Sequence, residues 1–458
     1  MSIDSTSVVL SEHLRAAMRG VEAGRWVVAF SGGLDSTVLL HALVQLKPRQ
    51  PVVAVHVHHG LSAYAEQWLT HCQQVCAQLA VPLQICRVAV AVEGRGLEDA
   101  ARKARYQAFA SLLQAGDVLL LAHHRDDQAE TLLLRLLRGA GPKGLAAMAA
   151  ARPLGAGRLW RPLLGLGRAE LQTYAESQQL RWIDDDSNSD ERLDRNYLRR
   201  QVLPLLEARW PGFSRQWLAS AELCRSQDQL TRALVSEDLA ELDMQVDRAG
   251  ASLSWLRLRA LSRSHRQLLL RLWCETLGVP TPSRAQLEQI ETQLIDRRQD
   301  SEAEVQWGGV SARCYRERLY LLRTPMALAP LNDEWMIAAE AALGGMAAPL
   351  VLPDGSRLRA EMATAGPGLA AGRTYQLRYR AGGERCQPLG RAHSQSLKKL
   401  LQEYALQPWL RDRIPLLYSD GKLAAVGDLW VCADFAVATG GVKLVWEACL
   451  SPAAEPRQ

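Results

Sequence analysis

The chain has 458 residues, enough for about three domains, each with its own hydrophobic core. Apolar residues make up 48% and charged residues 22%, an ordinary globular composition that excludes a disordered tail protein. No stretch approaches the roughly 20 apolar residues that cross a bilayer, so no membrane partner is expected.

The N-terminus carries Asp4, Glu12, Arg15 and Arg19 without an apolar h-region, so no secretory signal is visible and a cytoplasmic place is expected. Nine cysteines, an odd number scattered over a long chain with no CxxC pair, argue for reduced thiols. Cys72 and Cys76 stand four apart in a helical-looking stretch and read as buried thiols rather than zinc ligands. The net charge is only +5, but it is uneven: between Arg373 and Arg413 nine basic residues face three acidic ones, a local +6. Such a window is either a solvated face or a polyanion-binding surface.

In chain order, Arg25 to Phe30, Pro51 to Val57, Pro82 to Val88 and Asp117 to Ala122 are short, continuously apolar runs separated by helical stretches. That pattern suits strands buried on both faces of an open parallel sheet, joined by right-handed crossovers, whose ligands bind beyond the carboxyl ends of the strands. From about Trp210 to Thr324 the pattern turns helical, with Arg266 to Leu277 and Arg284 to Ile295, and ends in strand-like pieces around Tyr320 to Leu322. Pro325 to Gly372 is rich in Ala, Gly and Pro and reads as a linker merging into the edge of a last domain. That domain has strand-like ends, TYQLRYR and GGVKLVW, around a basic helix near Ser394 to Tyr404. The expected domains are therefore 1–212, a nucleotide-binding α/β domain; 213–325, mostly helical; 326–372, a linker; and 373–458, a small basic α+β domain.

The strand RWVVAF runs directly into Ser31-Gly32-Gly33-Leu34-Asp35-Ser36-Thr37, with a helix expected from Val38 to Leu46. Two glycines let the backbone turn tightly, and the N–H groups of the turn and of the new helix then point at one spot, which binds an anion. Ser31, Ser36 and Thr37 add hydroxyls, and Asp35 offers a carboxylate for Mg²⁺ escorting a polyphosphate. A P-loop is disfavoured, because the GxxxxGK[ST] spacing and its lysine are missing. A second cluster, Ala122-His123-His124-Arg125-Asp126-Asp127-Gln128-Ala129-Glu130-Thr131, follows the strand DVLLLA. Asp127 and Glu130, three apart at a helix start, share a face and suit a cation; the competing reading is a capped, solvated first turn.

SGGLDST resembles the pyrophosphate-binding loop of the N-type ATP pyrophosphatases, the PP-loop superfamily. The resemblance goes further, to the tRNA(Ile)-lysidine synthase family. It is carried by VHVHHGLS (Val55 to Ser62), AARKARYQAF (Ala100 to Phe109), AHHRDDQAET, RGAGPKGL (Arg138 to Leu145), RPLL (Arg161 to Leu164), Asp186-Ser187-Asn188, Arg195-Asn196-Tyr197-Leu198-Arg199 and SLKKLLQEYALQPWLRDRIPLL (Ser396 to Leu417). It spans nearly the whole chain and is weakest from about 215 to 370.

The resemblance implies a PP-loop, Rossmann-like catalytic domain, ATP and Mg²⁺ as cofactors, and a two-step reaction on the wobble cytidine of an isoleucine tRNA with a CAU anticodon. ATP adenylylates O2 of the cytosine, and the side-chain amine of free L-lysine attacks C2 and expels AMP. The product, lysidine, changes codon reading from AUG to AUA. On this reading Ser31 to Thr37 hold the nucleotide and Asp35 the metal. Asp127 and Glu130 grip the lysine ammonium, and Arg102, Arg105 and Arg138 are candidates to contact phosphate or the activated base. A carboxylate near pKa 4 is about six units too acidic to deprotonate an amine near 10.4, so binding roles are expected for both acids. His124, with an ordinary value of about 6.5, is the better match for a base. Arg195, Arg199, Lys398, Lys399, Arg411 and Arg413 are expected on the tRNA, with Arg192 and Arg200 in the same cluster as the first two. Trp409 reads as a core residue sooner than a base-stacking one. Monomer and homodimer both stay open. The rival readings are a cytidine 2-thiolating enzyme, disfavoured by the missing CxxC; a small-molecule amidating ligase, which has no need of the basic C-terminal domain; and a catalytically inactive tRNA-binding scaffold, which has no need of Ser31, Asp35, Asp127 and Glu130 together.

Overall fold

The computed structural model describes residues 3–60, 62, 64–90, 97–184, 190–296, 303–324, 328–338, 349–364 and 367–447. The Asp186-Ser187-Asn188 stretch lies outside them. The chain forms two compact units, Met1–Leu230 and Thr231–Gln458.

The first unit is built on a six-stranded sheet. Its elements are α1 (Ile3–Met18), β1 (Arg25–Ala29), α2 (Leu34–Gln45), β2 (Val52–His58), α3 (Ala65–Gln78), β3 (Leu83–Arg87), α4 (Leu97–Leu112), β4 (Asp117–Leu120) and α5 (Arg125–Leu137). The chain continues through α6 (Pro142–Leu145), β5 (Ala151–Leu154), β6 (Gly157–Trp160) and α7 (Arg168–Ser177). The strand order is β3-β2-β1-β4-β6-β5, and only β5 runs antiparallel to its neighbour. The four strands expected from the apolar runs are all present and parallel. Successive side chains of a strand point to opposite faces, and here both faces are covered. Val28, Ala54 and Leu120 face a core closed by Leu14 of α1, Leu39 of α2 and Tyr174 of α7. Val27, Val55, Leu119 and Leu159 face a second core closed by Phe109 of α4. Each such fully buried side chain contributes about 1.5–3 kcal/mol, which is why these runs lack alternation.

From β1 the chain first builds outward to β2 and β3, then returns to place β4 on the other side of β1. The strand order reverses between β1 and β4, so a crevice opens beyond their carboxyl ends. Residues 31–33 leave β1 there and His123 and His124 leave β4 there.

The second unit holds a five-stranded antiparallel sheet made of Gln245–Asp247, Gly250–Ser254, Arg318–Arg323, Val310–Tyr315 and Glu304–Trp307, in that order. The helices Arg263–Thr276 and Arg284–Ile290 pack on it through Trp273, Leu287 and Ile290. Two further five-stranded sheets and the helix Leu397–Glu403 follow. Part of the expected linker folds into these two sheets. Asn332–Ile337 pairs with Arg373–Arg378, and Arg357–Met362 pairs with Gly441–Glu447. The inward residues Trp335, Ile337, Leu358 and Ala360 are buried, but these strands are short and set among Ala, Gly and Pro, which hid their alternation. Trp409 donates its Nε1–H to the Ala249 carbonyl at 3.0 Å and its ring lies 5.1 Å from Tyr320. The middle sheet and the C-terminal sheets therefore share one core within this unit.

Candidate active site

The glycine loop owes its shape to Gly32, whose φ is +85°. A Cβ there would meet Cys72 Sγ at 2.9 Å and Ile183 Cδ1 at 3.1 Å, so both the conformation and the packing require glycine. Gly33 is the extended N-cap of α2, which starts at Leu34, four residues before the expected Val38. Asp35, Ser36 and Thr37 thus occupy the first helical turn. The Ser36 and Thr37 hydroxyls both donate to the Gly33 carbonyl at 3.0 Å, and Ser31 Oγ lies 3.1 Å from Ser36 Oγ. These hydroxyls stitch the loop together. The N–H groups of Leu34, Asp35 and Ser36 have no acceptor one turn back, so the loop presents donors and the positive end of the helix to the crevice.

Asp35 projects into the same place. Burial raises its carboxyl above the ordinary range, and the nearby Asp127 charge adds to this, while His124, Arg168 and Arg199 pull it down. Its Oδ1 is buried without a hydrogen-bond partner. An orphaned carboxylate oxygen beside a loop that presents free N–H donors fits a hard divalent cation that shares its ligands with a polyphosphate. Among the described residues no group of three or more His, Cys, Asp or Glu is placed to hold a metal by itself.

His124 caps α5 and is 2% exposed. Its Nε2 lies 3.4 Å from Asp127 Oδ2 and 3.7 Å from Asp35 Oδ2, and its Nδ1 lies 3.6 Å from Asp126 Oδ2. Its backbone N–H donates to Asp127 Oδ2 at 3.0 Å. Burial alone would raise the Asp127 carboxyl, but His124, His123, Arg195 and that backbone bond hold it down at about 2.

Asp127 and Glu130 do share a face of α5, and two guanidiniums already occupy it. Arg195 and Arg199 come from α8 (Asp194–Tyr197) and the π-helical turn Leu198–Val202. Glu130 accepts from Arg195 Nε at 2.6 Å, Arg199 Nε at 2.6 Å and Arg199 Nη2 at 3.0 Å. Asp127 Oδ1 accepts from Arg195 Nη2 at 3.3 Å and Arg199 Nη2 at 3.2 Å. The structure thus joins the two carboxylates expected on lysine with two of the arginines expected on tRNA.

Arg102 is exposed on α4, its guanidinium 5.1 Å from the Tyr106 ring. The Tyr106 hydroxyl also receives Arg161 Nη2 at 3.5 Å, and Arg161 Nε donates to His123 Nδ1 at 3.1 Å. That bond needs a neutral ring. Burial and the charges of Arg161, Arg195 and Arg102 push His123 down to about 3, against the pull of Asp127. Arg168, which sequence reasoning did not weigh, starts α7, and its charge is felt at Asp35. Its only sequence marker is a position directly after the turn Gly165-Leu166-Gly167.

In the second unit, Lys398 and Lys399 are exposed on their helix, Lys399 at 3.9 Å from Glu403. Arg411 and Arg413 are engaged internally. Arg411 Nε donates to the Leu406 carbonyl at 2.9 Å, and Arg413, 12% exposed, lies 3.6 Å from Asp354. Trp409 is a core residue. Cys72 and Cys76 are buried thiols, pushed up by burial to about 12 and about 11. No helix among the described residues is long and apolar enough to cross a membrane.

Three family models match the chain: a PP-loop domain over residues 6–206, a TilS substrate binding domain over 253–320 and a TilS substrate C-terminal domain over 375–446. The tRNA(Ile)-lysidine synthase of Serratia proteamaculans (strain 568) is 46% identical over 414 residues, covering 88% of this chain and 91% of the relative. That of Xanthomonas campestris pv. campestris (strain 8004) is 44% identical over 427 residues, covering 92% and 95%. A solved U34-tRNA thiolase, NcsA from Methanococcus maripaludis with its [4Fe-4S] cluster, is 16% identical with a TM-score of 0.41, covering 48% of this chain and 80% of that one. With identity above two fifths over about nine tenths of both chains, this chain belongs to the tRNA(Ile)-lysidine synthase family.

Proposed function

We propose that this chain joins L-lysine to C2 of the wobble cytidine in the CAU anticodon of an isoleucine tRNA, through an ATP-derived adenylate. The observation that carries this reading is one crevice, at the strand-order reversal, that combines an open helix N-terminus, an orphaned Asp35 oxygen and a fixed pair of arginines.

Cytosine O2 attacks the α-phosphorus of ATP and pyrophosphate leaves. Charge builds on the leaving oxygens, and the N–H groups of the loop and of the first turn of α2 already point at them, so little reorganisation is needed. A divalent cation held by Asp35 would neutralise further phosphate charge. Adenylylation turns O2 into a leaving group. The lysine ε-amine then adds to C2, AMP departs with the former O2, and one proton is lost from the amine. Asp127, held at about 2, is the wrong group to take that proton. His124 is the ring within reach of both Asp35 and Asp127 and is assigned the proton. Lys398 and Lys399, both exposed, supply phosphate-binding charge for the tRNA.

The test is turnover with labelled lysine on an isoleucine CAU transcript beside a methionine elongator transcript. Lysine incorporated only into the first, with AMP and pyrophosphate released, is expected. AMP without lysine would move the nucleophile to sulfur or ammonia, and tRNA binding without AMP would leave a scaffold.

A further inference from the structure

The quartet Asp127, Glu130, Arg195 and Arg199 balances its own charge, two guanidiniums against two carboxylates. A second arginine cluster beside the crevice does not. Arg161 follows β6 at its carboxyl end and is 5% exposed. Its Nη1 donates to the Ala149 carbonyl at 2.7 Å, its Nη2 to the Tyr106 hydroxyl at 3.5 Å and its Nε to the neutral His123 ring at 3.1 Å. The Tyr106 ring also lies 5.1 Å from the Arg102 guanidinium and 5.2 Å from that of Arg152. Arg135 Nη1 donates to the Gly144 and Ala147 carbonyls, both at 2.7 Å, and Arg152 Nη1 to the Pro153 carbonyl at 3.1 Å. Among the described residues, Arg102, Arg135, Arg152 and Arg161 have no carboxylate within ion-pair distance; their acceptors are carbonyls, a phenol and a neutral imidazole.

These guanidiniums repel one another. Burial lowers Arg161, Tyr106 pulls it up, and Arg152 and Arg102 push it down again. Burial and the Arg102 charge lower Arg135. Neutral acceptors satisfy the N–H groups but leave the charge, and a partly buried cationic cluster of this kind is completed by an anion.

Two anions come to the crevice, the polyphosphate of ATP and the tRNA backbone. The polyphosphate belongs to the sheet face that carries α2 with its free N–H donors, the face closed by Leu39 and Tyr174. The cluster lies on the other face. Arg102 and Tyr106 are on α4, whose Phe109 closes the opposite core. Displacement at phosphorus is in line, so the attacking oxygen enters opposite the leaving pyrophosphate. Cytosine O2 therefore reaches the α-phosphorus from the side away from the loop, and the backbone that carries it passes α4. A base turned out of its stack brings a phosphodiester on each side, and a guanidinium fork matches phosphate oxygens.

Resting on the function proposed above, we propose that Arg102, Arg152 and Arg161 hold the phosphodiester backbone flanking the wobble cytidine while its base enters the crevice, with Arg135 adding to their field. Arg102 and Arg152, both exposed, meet the backbone first. Arg161 lies deeper, fixed by Ala149 and His123.

The experiment uses the full chain, ATP, L-lysine and isoleucine CAU transcripts in which the phosphodiester on the 5′ or the 3′ side of the wobble nucleotide is an uncharged methylphosphonate, beside matched 2′-deoxy phosphodiester controls. Wild-type protein is expected to lose about 10-fold in kcat/KM for the tRNA at one or both positions, the weight of one charge-assisted bond. Arg102→Gln and Arg152→Gln are expected to lose about as much on the all-phosphate transcript, with the Kd for ATP alone unmoved. A variant combined with the methylphosphonate it contacts should lose little more than either change alone, because both remove the same contact, an outcome that mere loss of stability would not give. Losses that multiply for both variants at both positions overturn the proposal, as does wild-type protein indifferent to both methylphosphonates. A Kd for ATP weakened in step with kcat/KM assigns the arginines to the nucleotide and also overturns it. Arg161→Gln removes a buried group, and if it does not fold the two exposed variants still decide. Wild-type protein that joins no lysine to the unmodified transcript refutes the function itself, a different result from any of these.

Discussion

Replacing Glu130 with alanine removes the acceptor of three charge-assisted hydrogen bonds, at 2.6, 2.6 and 3.0 Å. Each bond of this kind contributes about 1.5–3 kcal/mol, and breaking a buried ion pair from one side costs about 3–5 kcal/mol. Both arginine side chains are 28–29% exposed, so water reaches them once Glu130 is gone, and the cost falls to the lower end, about 3 kcal/mol. For a unit of about 230 residues that corresponds to a fall in Tm of about 6–12 °C. Glu130→Gln keeps the shape and one acceptor, and is expected to lose about half as much. Calorimetry of the full chain gives the shift. Hydrogen-exchange mass spectrometry should place the loss of protection in α5 and in residues 194–209, because local opening there no longer breaks the pair. A Tm within about 1 °C of wild type, with unchanged protection in both segments, would refute the quartet as the bond between them.

Gly32→Ala is expected to destabilise by about 1–3 kcal/mol, because φ is +85° and the Cβ would stand 2.9 Å from Cys72 Sγ; Gly33→Ala, whose Cβ meets nothing closer than 3.5 Å, should stay within about 0.5 kcal/mol in urea unfolding. Acidification should destabilise the fold before the carboxylates titrate. The His123 ring is neutral in the folded chain down to about 3 but takes a proton near 6.5 when unfolded. Its contribution is full above 6.5 and is lost as pH falls towards 3, the loss amounting to about 2 kcal/mol at pH 5. Asp127 contributes above about 3.8 and loses its share only near 2, so a His123→Asn variant should show a shallower stability slope between pH 6.5 and 5. An unchanged slope would contradict the assignment. The double variant Lys398→Gln, Lys399→Gln should weaken tRNA binding and reduce the slope of log affinity against log salt by up to about 2, with Tm unmoved. Arg411→Gln and Arg413→Gln should instead lower Tm, since both side chains are engaged on the chain's own oxygens; a salt slope that responds to these and not to the lysines would reverse the two assignments.

The parallel sheet was legible because short continuous apolar runs such as Val27-Val28 and Leu119-Leu120, set between helical stretches, suit strands buried on both faces, and the glycine loop because a strand, two glycines and a carboxylate meet at one helix start. What stayed hidden depends on distance in the chain. Asp127 and Glu130 show their shared face in three residues of spacing, but their arginine partners lie 65 to 72 residues away, and no local pattern announces such a pairing. Arg411 and Arg413, expected on the tRNA from the basic window, also have partners within the chain, the Leu406 carbonyl and Asp354, which no local pattern announces. The strands Asn332–Ile337 and Arg357–Met362 were lost in an alanine- and glycine-rich stretch, where small side chains carry little of the alternation that marks a strand.

The most direct test of the adenylate follows one oxygen. An isoleucine CAU transcript whose wobble cytidine carries ¹⁸O at O2 is incubated with the full chain, ATP and L-lysine, and the released AMP is examined by mass spectrometry. One ¹⁸O is expected in the phosphate of AMP for each lysine joined, and none in pyrophosphate. Lysine transfer with unlabelled AMP, or label retained in the tRNA, would contradict the adenylate route.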